Sequence, residues 1–178
     1  MRWGLKRNSR TENVQEHSHE VAVIAHGLAL IRNEVFGGNV DVNKIAVIAL
    51  FHDASEVLTG DLPTPIKYFN PKIKEAYQAI ERVAEEKLVE MLPMALKNEY
   101  SKLLLQNDLD EDERNIVKYA DLISAYIKCV EEVQASNNEF AVAKSKVGNM
   151  LKQINAPEVD YFFTHFVPSY GLTLDELQ

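Results

Sequence analysis

Cysteine is nearly absent from this 178-residue chain: Cys129 stands alone. One thiol cannot form an internal disulfide, which suits a reducing compartment, and the helical setting Tyr126-Ile127-Lys128-Cys129-Val130 reads as a buried structural thiol. Glycine (7) and proline (6) are also scarce and fall at boundaries, the pattern of helices joined by short connections. Repeats, low-complexity tracts and period-two runs of β-branched residues are lacking, so strands are not expected. No stretch approaches the ~18 apolar residues of a membrane span. The N-terminus is charged and lacks the apolar run of a signal peptide. Positive charge is short as well: 19 Lys and Arg against 27 Asp and Glu leave a net charge of −8. A nucleic-acid partner normally demands a basic face, so none is expected; a small anionic substrate is still compatible if a metal or a local cluster supplies positive charge. Together these absences point to a cytoplasmic protein.

What is present describes a helical domain. Apolar residues make up 46% and charged residues 26%, the proportions of an ordinary globular protein, and the length suits a single domain over 1–178. Asn13 with Glu16 forms a capping box, after which Val21, Ile24, Leu28 and Ile31 recur at helical spacing; Phe36-Gly37-Gly38-Asn39 ends that helix. A second helix is expected over 41–58, through Ile45, Ala49 and His52, until Thr59-Gly60-Asp61-Leu62-Pro63-Thr64-Pro65 breaks it. Asn70 and Pro71 open a third, which ends at Pro93. A shorter helix follows over 95–105, and Asp110 with Glu113 caps a long one through Ile116, Ala120, Ile123, Ile127 and Val130. A further helix spans 139–154, and Pro157 opens a last short one. The expected fold is all-α, a single compact bundle of about seven helices.

The chemistry lies where polar residues interrupt apolar faces. His17 stands one turn before Val21 and prolongs the first helix's stripe toward the core. His52 shares the Ile45–Ala49 face with Asp53 beside it, and Asp121 falls in the middle of the long helix, next to an apolar stripe where a carboxylate needs a partner. Two imidazoles and two carboxylates make a mixed nitrogen and oxygen donor set. Such a set suits Mn, Co, Ni, Fe or Zn better than Ca or Mg, and on an octahedral ion it leaves positions for substrate and water. Other candidates read as structural. His26 lies about 180° from His17 on its helix, His19 faces solvent, His165 has no partner in sequence, and the acidic run 108–113 is a helix start. Asp61 taken alone is equally well a cap for the Gly60 turn.

Glu16-His17-Ser18, His52-Asp53-Ala54-Ser55-Glu56 and Tyr119-Ala120-Asp121 follow the H…HD…D signature and resemble the HD-domain phosphohydrolases. Arg10-Thr11-Glu12-Asn13-Val14, Phe36-Gly37-Gly38-Asn39-Val40, the run from His52 to Pro65, Asn137-Asn138-Glu139-Phe140 and the tail segments Val167-Pro168-Ser169 and Leu174-Asp175-Glu176 are similar to one branch, the bacterial HD-domain 5′-deoxynucleotidases. That resemblance implies His17, His52, Asp53 and Asp121 as metal ligands. It implies Glu56 as the catalytic carboxylate that manages the proton of the attacking water, and Arg2 as the guanidinium that orients the phosphate. Trp3 would pack near the sugar and exclude a ribose 2′-hydroxyl. Asp61, Leu62, Pro63 and Thr64, with Asp53 and Asp121, would hold the substrate. It also implies a homodimer. Members of the branch usually carry a short helical segment before the Arg-Trp pair, whereas this sequence starts at Met1. The expected activity is release of phosphate from deoxynucleoside 5′-monophosphates. The alternatives are another HD-type hydrolase, acting on guanosine tetraphosphate or deoxynucleoside triphosphates, for which no long basic segment is present, and a non-catalytic metal or nucleotide sensor.

Overall fold

A computed structural model describes residues 1–67 and 69–177. Among them there is no strand, and seven helices of nine residues or more carry the fold: α1 (Val14–Glu34), α2 (Val42–Phe51), α5 (Pro71–Glu90), α6 (Met94–Leu104), α7 (Glu111–Gln134), α8 (Ala141–Lys152) and α9 (Pro157–His165). Two single turns, α3 (Glu56–Thr59) and α4 (Thr64–Lys67), and three short 3₁₀ segments complete it. The all-α expectation and the count of long helices both hold. No helix among the described residues is long and apolar enough to cross a membrane.

Local chemistry sets the ends. Both expected capping boxes are formed: Asn13 and Asp110 accept from the backbone of Glu16 and Glu113, whose carboxylates return to the cap N–H groups. Asn70 caps α5 with Pro71 in its first turn. After α1 the chain reverses through Gly37, whose φ of +71° favours a residue without Cβ, and the Asn33 amide bonds both backbone groups of Val40 at 2.9 Å.

α1 is the central element and packs on α2, α7 and α9. Ile24, Leu28, Ile45, Ile48, Ile116, Ile123, Ile127 and Val159 lie at 0–2% exposure where these helices meet. At roughly 1.5–3 kcal/mol for each side chain fully withdrawn from water, this cluster dominates the stability. It also fixes α1 and α7 side by side, which is what brings His17 opposite Asp121.

One expected element is different. Helix 41–58 is interrupted: α2 ends at Phe51, and 52–55 form tight turns before α3. His52 bonds the Ala49 carbonyl with Nδ1 at 2.7 Å. The backbone then closes i→i+3 bonds, Ala54 to Phe51 and Glu56 to Asp53. Competition by the side chain for a helix carbonyl, with a switch to three residues per turn, ends the α-helix without glycine or proline. Glu56 therefore belongs to a separate turn and does not continue the face of His52.

Candidate metal centre and active site

Three helix ends and one helix middle meet in a basin. His17, near the start of α1, is 1% exposed. Its Nε2 lies 3.1 Å from Asp121 Oδ1 on α7 and 3.5 Å from Asp53 Oδ2. His52 Nε2 is 3.2 Å from the same Asp53 oxygen, and the two imidazole rings stand 5.2 Å apart, centroid to centroid. One donor atom from each of His17, His52 and Asp121 fits within 4.8 Å.

Both Nε2 atoms are buried and make no hydrogen bond of good geometry, although each stands 3.1–3.5 Å from a carboxylate oxygen. For His52 the protonation follows directly. A carbonyl can only accept, so Nδ1 carries a hydrogen toward Ala49, and in the neutral ring Nε2 is the nitrogen that offers a lone pair to a cation. Buried lone pairs beside carboxylate oxygens are costly unless a cation joins them. Separations of 3.1–3.5 Å are also near the roughly 3 Å between adjacent ligands on an octahedral ion. The donor set fits a divalent metal.

The electrostatics agree. Burial raises the cost of charge on Asp53 and Asp121, yet neighbouring histidines, and for Asp53 also Arg2, hold both carboxyls below their ordinary range. Burial opposes charge on His52, but the Asp53 carboxylate and Asp121 outweigh it and raise its pKa. Glu56 behaves in the opposite way. Burial first, then the negative charges of Asp53 and Asp61, push its carboxyl up to about 8, and Oε2 is buried without a partner.

The N-terminal segment closes one side. Arg2 places NH1 3.2 Å from Asp53 Oδ2 and Nε 3.1 Å from Glu12 Oε2. The segment is pinned from below by Glu132, 1% exposed, which accepts from the N–H groups of Ser9 and Arg10, from Lys128 and from Asn137. Trp3 packs its ring 5.2 Å from that of Phe140. Asp61, Leu62 and Pro63 are half-buried beyond α3, Thr64 is exposed at its turn, and Tyr77 holds this loop by donating to the Gly60 carbonyl at 2.9 Å. Sequence reading missed Glu12, Glu20 and Ser124. Of these, Glu20 and Ser124 had a signal, since each stands three residues after a basin residue on the same helix. Two other clefts open beside this segment, one by Arg7 and Asn138 and one by Gln15 and Glu131.

The model of the 5′-deoxynucleotidase YfbR-like family matches residues 1–170. This chain belongs to that family. It is 54% identical over 99% of its length to 5′-deoxynucleotidase YPTB2590 of Yersinia pseudotuberculosis, covering 89% of that protein. It is 53% identical, again over 99%, to 5′-deoxynucleotidase Ent638_2835 of an Enterobacter species, covering 88% of it. Among solved structures, an HD-domain phosphohydrolase from Listeria innocua superposes with a TM-score of 0.83 at 25% identity, over 95% of this chain and 82% of that one. The helical bundle of this YfbR-like chain is thus an HD-domain fold, with the His-Asp basin at the meeting of α1, the end of α2, and α7.

Proposed function

We propose that His17, His52, Asp53 and Asp121 hold one divalent transition metal, and that the chain uses it to release the 5′-phosphate of deoxynucleoside monophosphates. The observation that carries this reading is the pair of buried, partnerless Nε2 atoms facing Asp53 and Asp121. A borderline ion, Co, Mn, Ni, Fe or Zn, matches the donors. Such an ion supplies Lewis-acid polarisation of a phosphoryl oxygen and lowers the pKa of water.

The protein's own groups do the rest. Arg2 lies over the basin and turns its guanidinium from Asp53 to the phosphate, offsetting charge as the P–O bond breaks. Glu56, with a carboxyl near neutrality, exchanges a proton at the reacting oxygens. The 61–64 loop supports the nucleoside, and Trp3 fills the space a 2′-hydroxyl would need. A single domain over 1–178 and a cytoplasmic setting fit the lone buried Cys129. A homodimer fits the outward apolar face of the α5–α6 hairpin, where Ile80, Val83, Met91 and Met94 are exposed; light scattering on a Val83→Glu variant tests it.

The deciding experiment measures phosphate release from deoxy- and ribonucleoside 5′-monophosphates with Co²⁺ or Mn²⁺ and after chelation, beside Asp121→Ala. Deoxy-selective, chelator-sensitive release that the variant lacks is expected. Release from ribonucleotides at the same rate would sink the sugar selectivity, and release only from polyphosphates would sink the monophosphate reading.

A further inference from the structure

The two helices that face each other across the basin carry matching pairs of residues. On α1, Glu20 follows His17 by three positions; on α7, Ser124 follows Asp121 by three. Each second residue therefore lies one turn behind the first on the same face. Ser124 is 1% exposed. Its hydroxyl donates to Glu20 Oε2 at 2.6 Å, and His17 Nδ1 stands 3.1 Å from the same hydroxyl oxygen.

A hydroxyl has one proton to give. The carboxylate is both the stronger acceptor and the nearer one, so it takes that proton, and Ser124 Oγ meets the imidazole with a lone pair. Nδ1 must then carry a hydrogen, so in the neutral imidazole the lone pair belongs to Nε2. His17 Nε2 is indeed the atom left buried without a hydrogen-bond partner, 3.1 Å from Asp121 Oδ1.

We propose that Glu20 and Ser124 are positioning residues for His17, a side-chain relay that fixes its tautomer and ring plane so that the Nε2 lone pair faces the metal. This rests on the metal reading above and concerns groups that touch neither ion nor substrate. The Ala49 carbonyl does the same for His52, but a backbone acceptor cannot be deleted, whereas the His17 relay can. Glu20 also borders the polar cleft beside Glu16 and Glu131, so truncating it leaves the apolar core untouched.

The test uses the 178-residue chain stripped of metal, with two readouts. Co²⁺ affinity is measured by competition with a chromophoric chelator, and the His17 tautomer by long-range ¹H–¹⁵N correlation in the metal-free protein. Ser124→Ala and Glu20→Ala are expected to weaken Co²⁺ binding about 10–100-fold. Ser124→Thr, which keeps the hydroxyl, should restore it to within about threefold. The wild-type spectrum should show hydrogen on Nδ1. Glu20→Ala should move it toward Nε2, because the freed Ser124 proton is then offered to Nδ1. Wild-type affinity in both alanine variants, or a wild-type His17 whose Nδ1 carries no hydrogen, overturns the relay. A wild type that binds no Co²⁺ overturns the metal reading instead, and the metal-free spectrum still decides the tautomer.

Discussion

Replacing Glu56 with glutamine should move stability and turnover in opposite directions. Glu56 is 9% exposed. Burial and the charges of Asp53 and Asp61 raise its carboxyl to about 8, with Arg2 and Lys67 opposing. The folded protein thus keeps a proton that the unfolded chain releases above its ordinary carboxyl pKa near 4.5. The sign follows: the stability is fully present below about pH 4.5 and is lost as the pH rises through about 8. At full burial such a shift would cost about 5 kcal/mol; screening by solvent in the open basin reduces the expected cost to about 2 kcal/mol. Glutamine has the same shape and no charge to bury. Metal-free Glu56→Gln should therefore melt about 4–8 °C above wild type at pH 9 and within about 1 °C of it at pH 4.5. With metal restored, phosphate release should fall about 10²–10⁴-fold, the usual contribution of a positioned proton-transfer group. Circular-dichroism melts across pH and a phosphate assay read the two quantities. A variant that melts lower by the same amount at every pH, or that retains turnover within tenfold, would refute the account of Glu56.

Chelation should lower the melting temperature, and Mn²⁺ or Co²⁺ at about 100 times its Kd should restore about 2.7 kcal/mol, roughly 5–10 °C; Asp121→Ala should show neither response. Trp3→Ala should raise ribonucleotide turnover relative to deoxynucleotide turnover by about tenfold, the scale on which loss of steric exclusion acts, as read by paired kcat/KM values. Glu132→Ala should cost about 3–5 kcal/mol by leaving Lys128 buried without its partner, and should raise KM through Arg2. The four donors on Glu132 outweigh its burial and hold its carboxyl down to about 2, so its contribution is present above about pH 4.5 and lost as acid titration passes through about 2; an acid-unfolding curve flattened in that window would check it.

The helix ends were legible because their causes are local. Asn13 with Glu16, Asp110 with Glu113, and Asn70 before Pro71 each act within one turn, and each forms as the sequence implies. The break after Phe51 was not legible. Leu50, Phe51, Val57 and Leu58 continue an apolar helical pattern across it, and no glycine or proline interrupts before Gly60. What ends α2 is a histidine nitrogen reaching its own helix's carbonyl, which sequence cannot distinguish from a histidine that points outward. That break has a chemical use. It lets His52 and Asp53, adjacent in sequence, both face the basin, which successive positions on a continuous helix, about 100° apart, would resist.

A similar division runs through the basin. His17, His52 and Asp121 stand out in sequence because polar groups on apolar stripes must find partners, and periodicity alone directs them inward. Their meeting depends on α1 packing against α2 and against α7, whose Asp121 is more than a hundred positions from His17, contacts that no local pattern encodes. The groups that orient them are harder still to see. Ser124 and Glu20 each stand one turn from a basin residue, but between Ile123 and Ala125 the one looks like an ordinary small residue and the other like a solvated acid; only the fold brings them to a shared hydrogen bond at 2.6 Å. The N-terminal segment shows the same logic at its most distant. Arg2 and Trp3 would read as a fraying end, yet Glu132, on the last turn of α7, accepts backbone hydrogens from Ser9 and Arg10 and so holds the segment that delivers Arg2 to Asp53. Ligand identity is therefore written in single positions, while ligand orientation is written in pairs of positions that become neighbours only on folding.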